Sequence, residues 1–288
     1  MARKNIFEII AENNDLAREV ERIDRLFRKE KTITTHIYYG IYSIEEYVGV
    51  YCFKEWKGRG KCIDVKDFLN TVGYSNIMER AHDNLDDFLT FIEIVLNFYQ
   101  VANEKIFKHD RTTETDNDKF RILWDKMMDN LSQYNYTFVY DKEQERSIIV
   151  EDKVEVTAVA EIVEPPLAMQ IIKYNHYALK ENIDEKKAIL LRMGSDLEPK
   201  RKSLSAVNRS LSDDIFYILN NMNLRHNNCD KADKNYKEFV AQMDENELLK
   251  WYDELYQMML LAYLELNQQE RKKEFSELKN KIEQEGTN

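Results

Sequence analysis

The most chemically varied stretch of this sequence is RHNNCD, which begins at Arg225 and contains five polar side chains. The guanidinium of Arg225 could hold an anion such as a phosphate through its planar fork. The imidazole of His226 titrates near neutral pH and is suited to proton transfer. We therefore predict Arg225 and His226 as catalytic residues, and Asn227, Asn228 and Asp230 as substrate-binding residues. The alternative is that the two asparagines merely end a helix, because asparagine tolerates the left-handed conformation.

The helix that precedes this stretch decides where Arg225 points. Apolar residues recur at steps of three and four, which predicts a helix from Ser203 to Arg225 with one face toward a core. These residues are Leu204, Val207, Leu211, Ile215, Ile218, Leu219 and Met222. Arg225 lies three residues after Met222 and therefore falls on the same stripe. Because an unpaired buried charge is costly, an inward Arg225 needs a partner.

A basic segment lies around the start of the same helix. Residues 186–209 contain seven Lys and Arg residues against two carboxylates, although the whole chain has a net charge of −11. Proteins that coat nucleic acid without specificity are usually basic, so the total charge excludes that class and leaves only a local patch. The sequence EPKRK supplies Lys200, Arg201 and Lys202, which we predict to bind a phosphate backbone. A solvated, lysine-rich helix end is the alternative.

The composition predicts a mainly α-helical protein. Only 7 Gly and 3 Pro occur in 288 residues, while 43% of the residues are hydrophobic, which favours long helices around a sizeable core. The three cysteines have no metal or redox spacing, and we expect neither a metal nor a cofactor. The charged start MARKNIFEIIAEN does not resemble a signal peptide, and the most apolar run, residues 88–101, contains Glu93 and Asn97. We expect a cytoplasmic protein without a membrane span.

Two domains are predicted, residues 1–163 and 164–288, because the sequence EPP interrupts the chain between them. The first domain should be helical with a small β-hairpin insertion at 136–151. The alternating apolar residues of VEVTAVAEI predict a third strand at 154–162. The predicted helices of this domain cover about 5–29, 35–56 and 84–108, with one more that ends near 131.

The predicted second domain is a bundle of four or five helices. Its main helices cover about 167–181, 184–198, 203–225 and 245 to beyond 266, the last of them ending in a charged tail. That last helix has two neighbouring apolar stripes, one from Leu248 to Leu266 and one from Leu249 to Leu264. A helix that is apolar over so much of its circumference is deeply buried or shared with a second subunit. We therefore expect a homodimer formed through this domain.

The order of these helices, with a polar motif starting at Arg225 after the third and a long apolar helix following, resembles the HEPN superfamily (higher eukaryote and prokaryote nucleotide-binding domains). The resemblance covers about residues 166–270. RHNN followed by WYDELYQMMLLAYLEL is also similar to a type of bacterial abortive-infection protein. Ribonucleases of this family act as dimers without metal, with two motifs facing one cleft. The resemblance implies a bacterial defence or stress protein acting on RNA, in which Arg225 holds the phosphate and His226 moves a proton.

The motif departs from the family pattern at its end. Family ribonucleases have a second His several residues later, whereas no His follows His226 in this chain. Asp230 stands near that position and cannot act as a cation for the leaving group. Loss of one acid–base group removes a rate factor of about 10²–10⁴. The alternative prediction is therefore a non-catalytic interaction or adaptor protein of the same fold, antitoxin- or sensor-like, that binds a protein partner.

Overall fold

Helices make up most of the chain in the computed structural model, which describes residues 15–35, 40–109 and 113–285. The mainly α-helical class predicted from composition is confirmed, with a small β-hairpin. The chain divides into two compact units, Met1–Asp152 (unit 1) and Lys153–Asn288 (unit 2). We predicted the boundary eleven residues later, after residue 163.

Unit 1 contains six α-helices, a short 3₁₀ turn at Lys57–Arg59 and five strands within its described residues. The helices are α1 (Leu16–Asp24, continued by a π-helical turn to Lys29), α2 (Ile44–Tyr51), α3 (Val65–Thr71), α4 (Tyr74–Arg80), α5 (Leu85–His109) and α6 (Asn117–Gln133). The strands are β1 (Ile33–Thr35), β2 (Gly40–Tyr42), β3 (Thr113–Thr115), β4 (Tyr136–Asp141) and β5 (Arg146–Glu151). Strands β2, β1 and β3 form one small antiparallel sheet, and β4 pairs with β5.

The single helix predicted over residues 35–56 is wrong. The described part of this segment contains the last residue of β1 and the whole of β2, and a helix begins only at Ile44. Ser43 starts that helix through a capping box, in which its hydroxyl accepts from the Glu46 amide and the Glu46 carboxylate accepts from the Ser43 amide. The β-branched residues before Ser43 favour extended backbone. The first part of the predicted helix over residues 5–29 lies outside the described residues.

The hairpin predicted at 136–151 is confirmed, and it explains the two polar residues in the apolar helix α5. The Asn97 side chain accepts from the Ser147 amide and donates to the Ser147 carbonyl, both at 2.8 Å. The Glu93 carboxylate accepts from the Ile149 amide at 2.7 Å. Glu93 and Asn97 therefore satisfy the outer edge of β5, whose backbone groups would otherwise be buried without partners.

The third strand predicted at 154–162 is wrong. Residues Val154–Ala160 form a helix, α7, and its buried residues follow a step of three instead of two. Val156 and Val159 are buried, whereas Val154 is 80% exposed. The alternating valines and alanines also place two residues on one helical face, so the local pattern alone could not separate the two structures. Val156 and Val159 belong to the core of unit 2, which moves the domain boundary to residue 152.

Unit 2 contains seven helices within its described residues. They are α7, α8 (Pro165–Lys173), α9 (Ile183–Leu197), α10 (Arg201–Val207), α11 (Arg209–Asn221), α12 (Glu238–Ala241) and α13 (Glu245–Glu285). Short 3₁₀ turns at Tyr177–Leu179 and Glu198–Lys200 precede α9 and α10. The helix predicted from Ser203 to Arg225 is therefore divided in two. Asn208 starts its second part, because its side chain accepts from the Leu211 amide at 3.1 Å.

The core of unit 2 forms where α9, α10 and α11 pack against α13. Most of both apolar stripes of α13 is buried, and Leu264 and Leu266 at their ends are half-buried. Their buried members are Leu248, Leu249, Tyr252, Leu255, Tyr256, Met259, Leu260 and Ala262. Because helices of the same chain cover these residues, the two stripes do not indicate a second subunit. The apolar stripes are therefore the wrong reason for a homodimer, which remains a prediction from the family resemblance alone.

Candidate functional site

The polar motif lies in a loop after α11, and not on the helix as its periodicity predicted. The helix ends at Asn221, and Asn223 takes the left-handed conformation with φ of 55°. The Arg225 amide then donates to the Leu219 carbonyl at 3.0 Å, which satisfies one free carbonyl at the helix end. The prediction counted three helical residues from Met222 to Arg225, but these residues lie after the end of the helix. Arg225 reaches its position through this turn.

Arg225 still packs inward and has the partner that an inward arginine requires. Its Nη2 lies 2.6 Å from the Glu198 Oε2 and 3.3 Å from the carbonyl oxygen of Gly194 at the end of α9. Its guanidinium carbon is 5.5 Å from the centre of the Phe216 ring, a cation–π contact. The Arg225 side chain is 25% exposed and that of Glu198 is 47% exposed. The ion pair is thus accessible to solvent from the carboxylate side.

Arg201 approaches the same aromatic ring. Its guanidinium carbon lies 4.4 Å from the centre of Phe216, so the structure brings Arg201 and Arg225 together around one side chain. Lys202 is exposed nearby on α10. Lys200 instead pairs with Asp196 at 2.5 Å and lies over the Tyr263 ring. Of the predicted phosphate-binding residues, Arg201 contacts the same ring as Arg225, and Lys200 is paired with the Asp196 carboxylate.

Other cations of the basic segment also have carboxylate partners. The Lys186 side chain is 7% exposed, and its Nζ lies 2.7 Å from the Asp253 Oδ1. The same oxygen accepts from the Tyr174 hydroxyl at 2.8 Å. The pKa of that phenol is raised, mainly by burial and secondly by the negative charge of Asp253. Arg209 lies 3.7 Å from Asp213. Three of the seven cations of this segment, Lys186, Lys200 and Arg209, thus have a carboxylate within 4 Å.

Asn228 has a structural role instead of the substrate-binding role that we predicted. It has no exposed surface. Its Oδ1 accepts from the Asn223 amide at 2.8 Å and its Nδ2 donates to the Asn235 carbonyl at 2.7 Å. Its own carbonyl accepts from the Lys237 amide at 2.8 Å. Asn228 therefore fixes the left-handed turn at Asn223 to the far end of the loop and cannot reach a ligand.

His226, Asn227 and Asp230 are exposed on the outside of this loop. The Asp230 carboxylate accepts from the Ala232 amide at 2.9 Å, which forms a local turn. The second histidine of this unit, His176, has its Nδ1 bonded to the Ala178 amide at 3.2 Å and stacks on Tyr177. The structure places two guanidinium groups, of Arg201 and Arg225, at the Phe216 ring, and Arg225 is already paired with Glu198. Within the described residues of the motif it offers one imidazole for proton transfer.

A feature that the sequence analysis missed is an apolar groove beside the motif. It has a volume of about 510 Å³ and lies between α11, the segment around α12, and α13. Three large side chains at the groove are exposed, namely Tyr217 at 67%, Phe239 at 76% and Trp251 at 43%. Its lining also includes Met222, Met243, Met258, Ile218, Val240, Asn221, Asp214 and Lys237. Its residues come from separate segments, so no single stretch of sequence identifies it.

Across 15–35, 40–109 and 113–285, no group of three or more His, Cys, Asp or Glu side chains is placed to hold a metal ion. No helix in that part of the chain is long and apolar enough to cross a membrane. Comparisons with protein-family models, curated proteins and solved structures find no match to this chain.

Proposed function

We propose that unit 2 is a non-catalytic interaction domain that binds an apolar segment of a protein partner in the groove next to the motif. The observation that supports it most is the exposure of Tyr217, Phe239 and Trp251 around one groove of about 510 Å³. Contiguous exposed apolar surface is unusual on soluble proteins and marks interaction sites. Aromatic residues supply most of the binding energy at protein interfaces, and flexible methionines adapt to apolar partners.

The state of the motif also favours binding over catalysis. Arg225 is engaged by Glu198 and by the Gly194 carbonyl, and Asn228 is used entirely within the loop. A phosphate would therefore have to displace Glu198 from Arg225. One exposed imidazole supplies only one of the two proton-transfer roles that RNA cleavage requires. The net charge of −11 also opposes association with a polyanion.

The biological setting that we propose is bacterial defence or stress response, with the domain acting as an adaptor or as an antitoxin- or sensor-like protein. This setting, and a HEPN-like arrangement of the helices of unit 2, rest on the resemblance of the motif and of its flanking helices. The groove is the binding site that such an adaptor requires. An amphipathic helix of the partner would lie in it and contact it through apolar side chains spaced three and four residues apart.

The test is site-specific photocrosslinking followed by measured affinity. A photoreactive amino acid at Phe239 should crosslink one partner in cells, and Trp251→Asp should abolish that adduct. The same photoreactive residue at Val154, which is 80% exposed and does not line the groove, is the matched control. With the purified partner, Trp251→Ala should raise Kd by about tenfold or more, the loss of a typical interface hot spot. Equal affinities for Trp251→Ala, Val154→Ala and wild type would refute the groove as the binding site of the partner.

The second candidate is a metal-independent endoribonuclease, favoured by the exposed His226 that follows Arg225 in the loop and by the contacts of Arg225 and Arg201 with one aromatic ring. If it holds, RNA cleavage persists in EDTA, and His226→Ala lowers the rate by about 10²–10⁴. His176→Ala is the matched control, because this imidazole belongs to another turn of the same unit. Equal rates for His226→Ala, His176→Ala and wild type would remove His226 from any cleavage mechanism.

A further inference from the structure

The C-terminal part of α13 extends beyond the core of unit 2. The helix has 41 residues, and the last core-packed side chain that it contributes is Leu266. At a rise of 1.5 Å per residue, the remaining 19 residues from Asn267 to Glu285 continue for about 28 Å. Only three large apolar residues occur in this extension. They are Phe275, Leu278 and Ile282, and they are 58%, 50% and 60% exposed.

These three residues lie on one face with the spacing of a coiled coil. The steps from Phe275 to Leu278 and from Leu278 to Ile282 are three and four residues, which matches positions a, d and a of a heptad repeat. The same repeat, continued toward the core, reaches Arg271 and Gln268 and then Leu264 and Leu261. Leu261 is 46% exposed and Leu264 is half-buried, so the stripe begins on the surface of the core and runs to the end of the extension.

We propose that the stripe from Leu261 to Ile282 pairs with the same stripe of a second copy as a parallel, in-register, two-stranded coiled coil. The remaining described residues of the extension are polar. A single helix surrounded by water gains nothing from three large apolar side chains on one face, so their presence there indicates a contact. Pairing removes these residues from water on both copies at once. This inference does not depend on the groove or on the motif.

The flanking charges select the parallel orientation. In a parallel pair, Glu274 at position g faces the partner's Lys279 at position e, and the symmetry of the pair gives this contact twice. An antiparallel pair in which Phe275 faces the partner's Leu278 also brings opposite charges together, Glu274 with the partner's Lys281. It places Lys272 against the partner's Lys279, however, which is repulsive. In the structure, Lys279 Nζ lies 5.0 Å from the centre of the Phe275 ring. It is therefore beside the proposed seam, the line of a and d residues along which the two helices would meet.

Two polar layers interrupt the seam. Gln268 at an a position would face its counterpart, and a polar a residue fixes register at some expense of stability. Arg271 at a d position would also face its counterpart, which weakens the pair unless the guanidinium extends to solvent. Arg271→Leu should therefore tighten the dimer. A leucine at this exposed position has that effect only if the position lies in an interface.

The first test is sedimentation of the full-length protein. Wild type should show a monomer–dimer equilibrium, and Phe275→Glu should raise the dissociation constant by at least about tenfold, because a charge enters the apolar seam. Ser276→Glu is the matched control, since it adds the same charge one residue away on the outer face and should leave the equilibrium unchanged. If the protein remains a monomer at concentrations up to about 100 µM, any pairing is too weak to support the proposal, which is then overturned. A dimer unaffected by Phe275→Glu would also overturn it.

The second test reports the orientation. Gln268→Cys places two thiols in the same seam layer and should form a disulfide-linked dimer under mild oxidation. Gln269→Cys, the neighbouring residue of the same type, points out of the seam and should crosslink far more slowly. Wild type controls for Cys52, Cys62 and Cys229, which are free thiols. Equal rates for the two variants would overturn the parallel, in-register pairing.

Discussion

Replacing Asn228 by alanine should destabilise unit 2 much more than the same replacement at Asn227. The Asn228 side chain has no exposed surface and makes two hydrogen bonds, 2.8 Å from the Asn223 amide and 2.7 Å to the Asn235 carbonyl. A buried donor or acceptor that loses its partner costs about 1–3 kcal/mol. Asn228→Ala leaves two such groups without their partner and should therefore cost about 2–6 kcal/mol. Asn227 is exposed, and Asn227→Ala should change stability by less than about 0.5 kcal/mol.

Urea unfolding and hydrogen exchange together measure this difference. Asn228→Ala should lower the unfolding midpoint, and the amides between Met222 and Val240 should exchange faster, because the loop loses the bonds that hold its two ends. Asn228→Asp can still accept from the Asn223 amide but cannot donate to Asn235, so it should also destabilise the loop. If Asn227→Ala and Asn228→Ala unfold at the same midpoint, the structural role assigned to Asn228 is refuted. An RNA-cleavage defect in a fully stable Asn228→Ala would refute it as well.

Two further predictions concern buried charges. Burial alone would raise the pKa of Glu19, but hydrogen bonds from Arg22 and an asparagine, with the charge of a lysine, outweigh it and lower the pKa below its usual 4.5. Ionised Glu19 thus stabilises unit 1 above this pH, and the stability falls as acid protonates it in the folded state; in urea titrations, Glu19→Gln should be less stable at neutral pH and lose less stability on acidification. Asp253→Ala leaves the buried ammonium of Lys186 and the Tyr174 hydroxyl without this acceptor and should cost about 3–5 kcal/mol. Lys186→Met leaves only a half-exposed carboxylate and should cost clearly less; equal thermal unfolding of the two variants would contradict this asymmetry.

Features decided by neighbouring residues could be predicted from the sequence. The hairpin at 136–151 follows from two β-rich segments and the polar turn between them, and the low Gly and Pro content gives the helical class. The same local patterns failed at 154–162, where one set of apolar residues fits a strand or a helix. They failed again at Ser43 and Asn208, where a single side chain starts a helix within a longer periodic run.

The sequence by itself determined that Arg225 would need a partner, because a guanidinium among apolar residues cannot remain unpaired. Only the tertiary structure decided that Glu198 and the end of α9 supply it, and that Asn228 holds the loop while His226 faces solvent. The groove at Trp251 and the cover over both stripes of α13 were likewise beyond the sequence. These features depend on which segments meet in space. Contacts between residues that are distant in the chain produce no repeating pattern within any one stretch of sequence, so the sequence alone could not predict them.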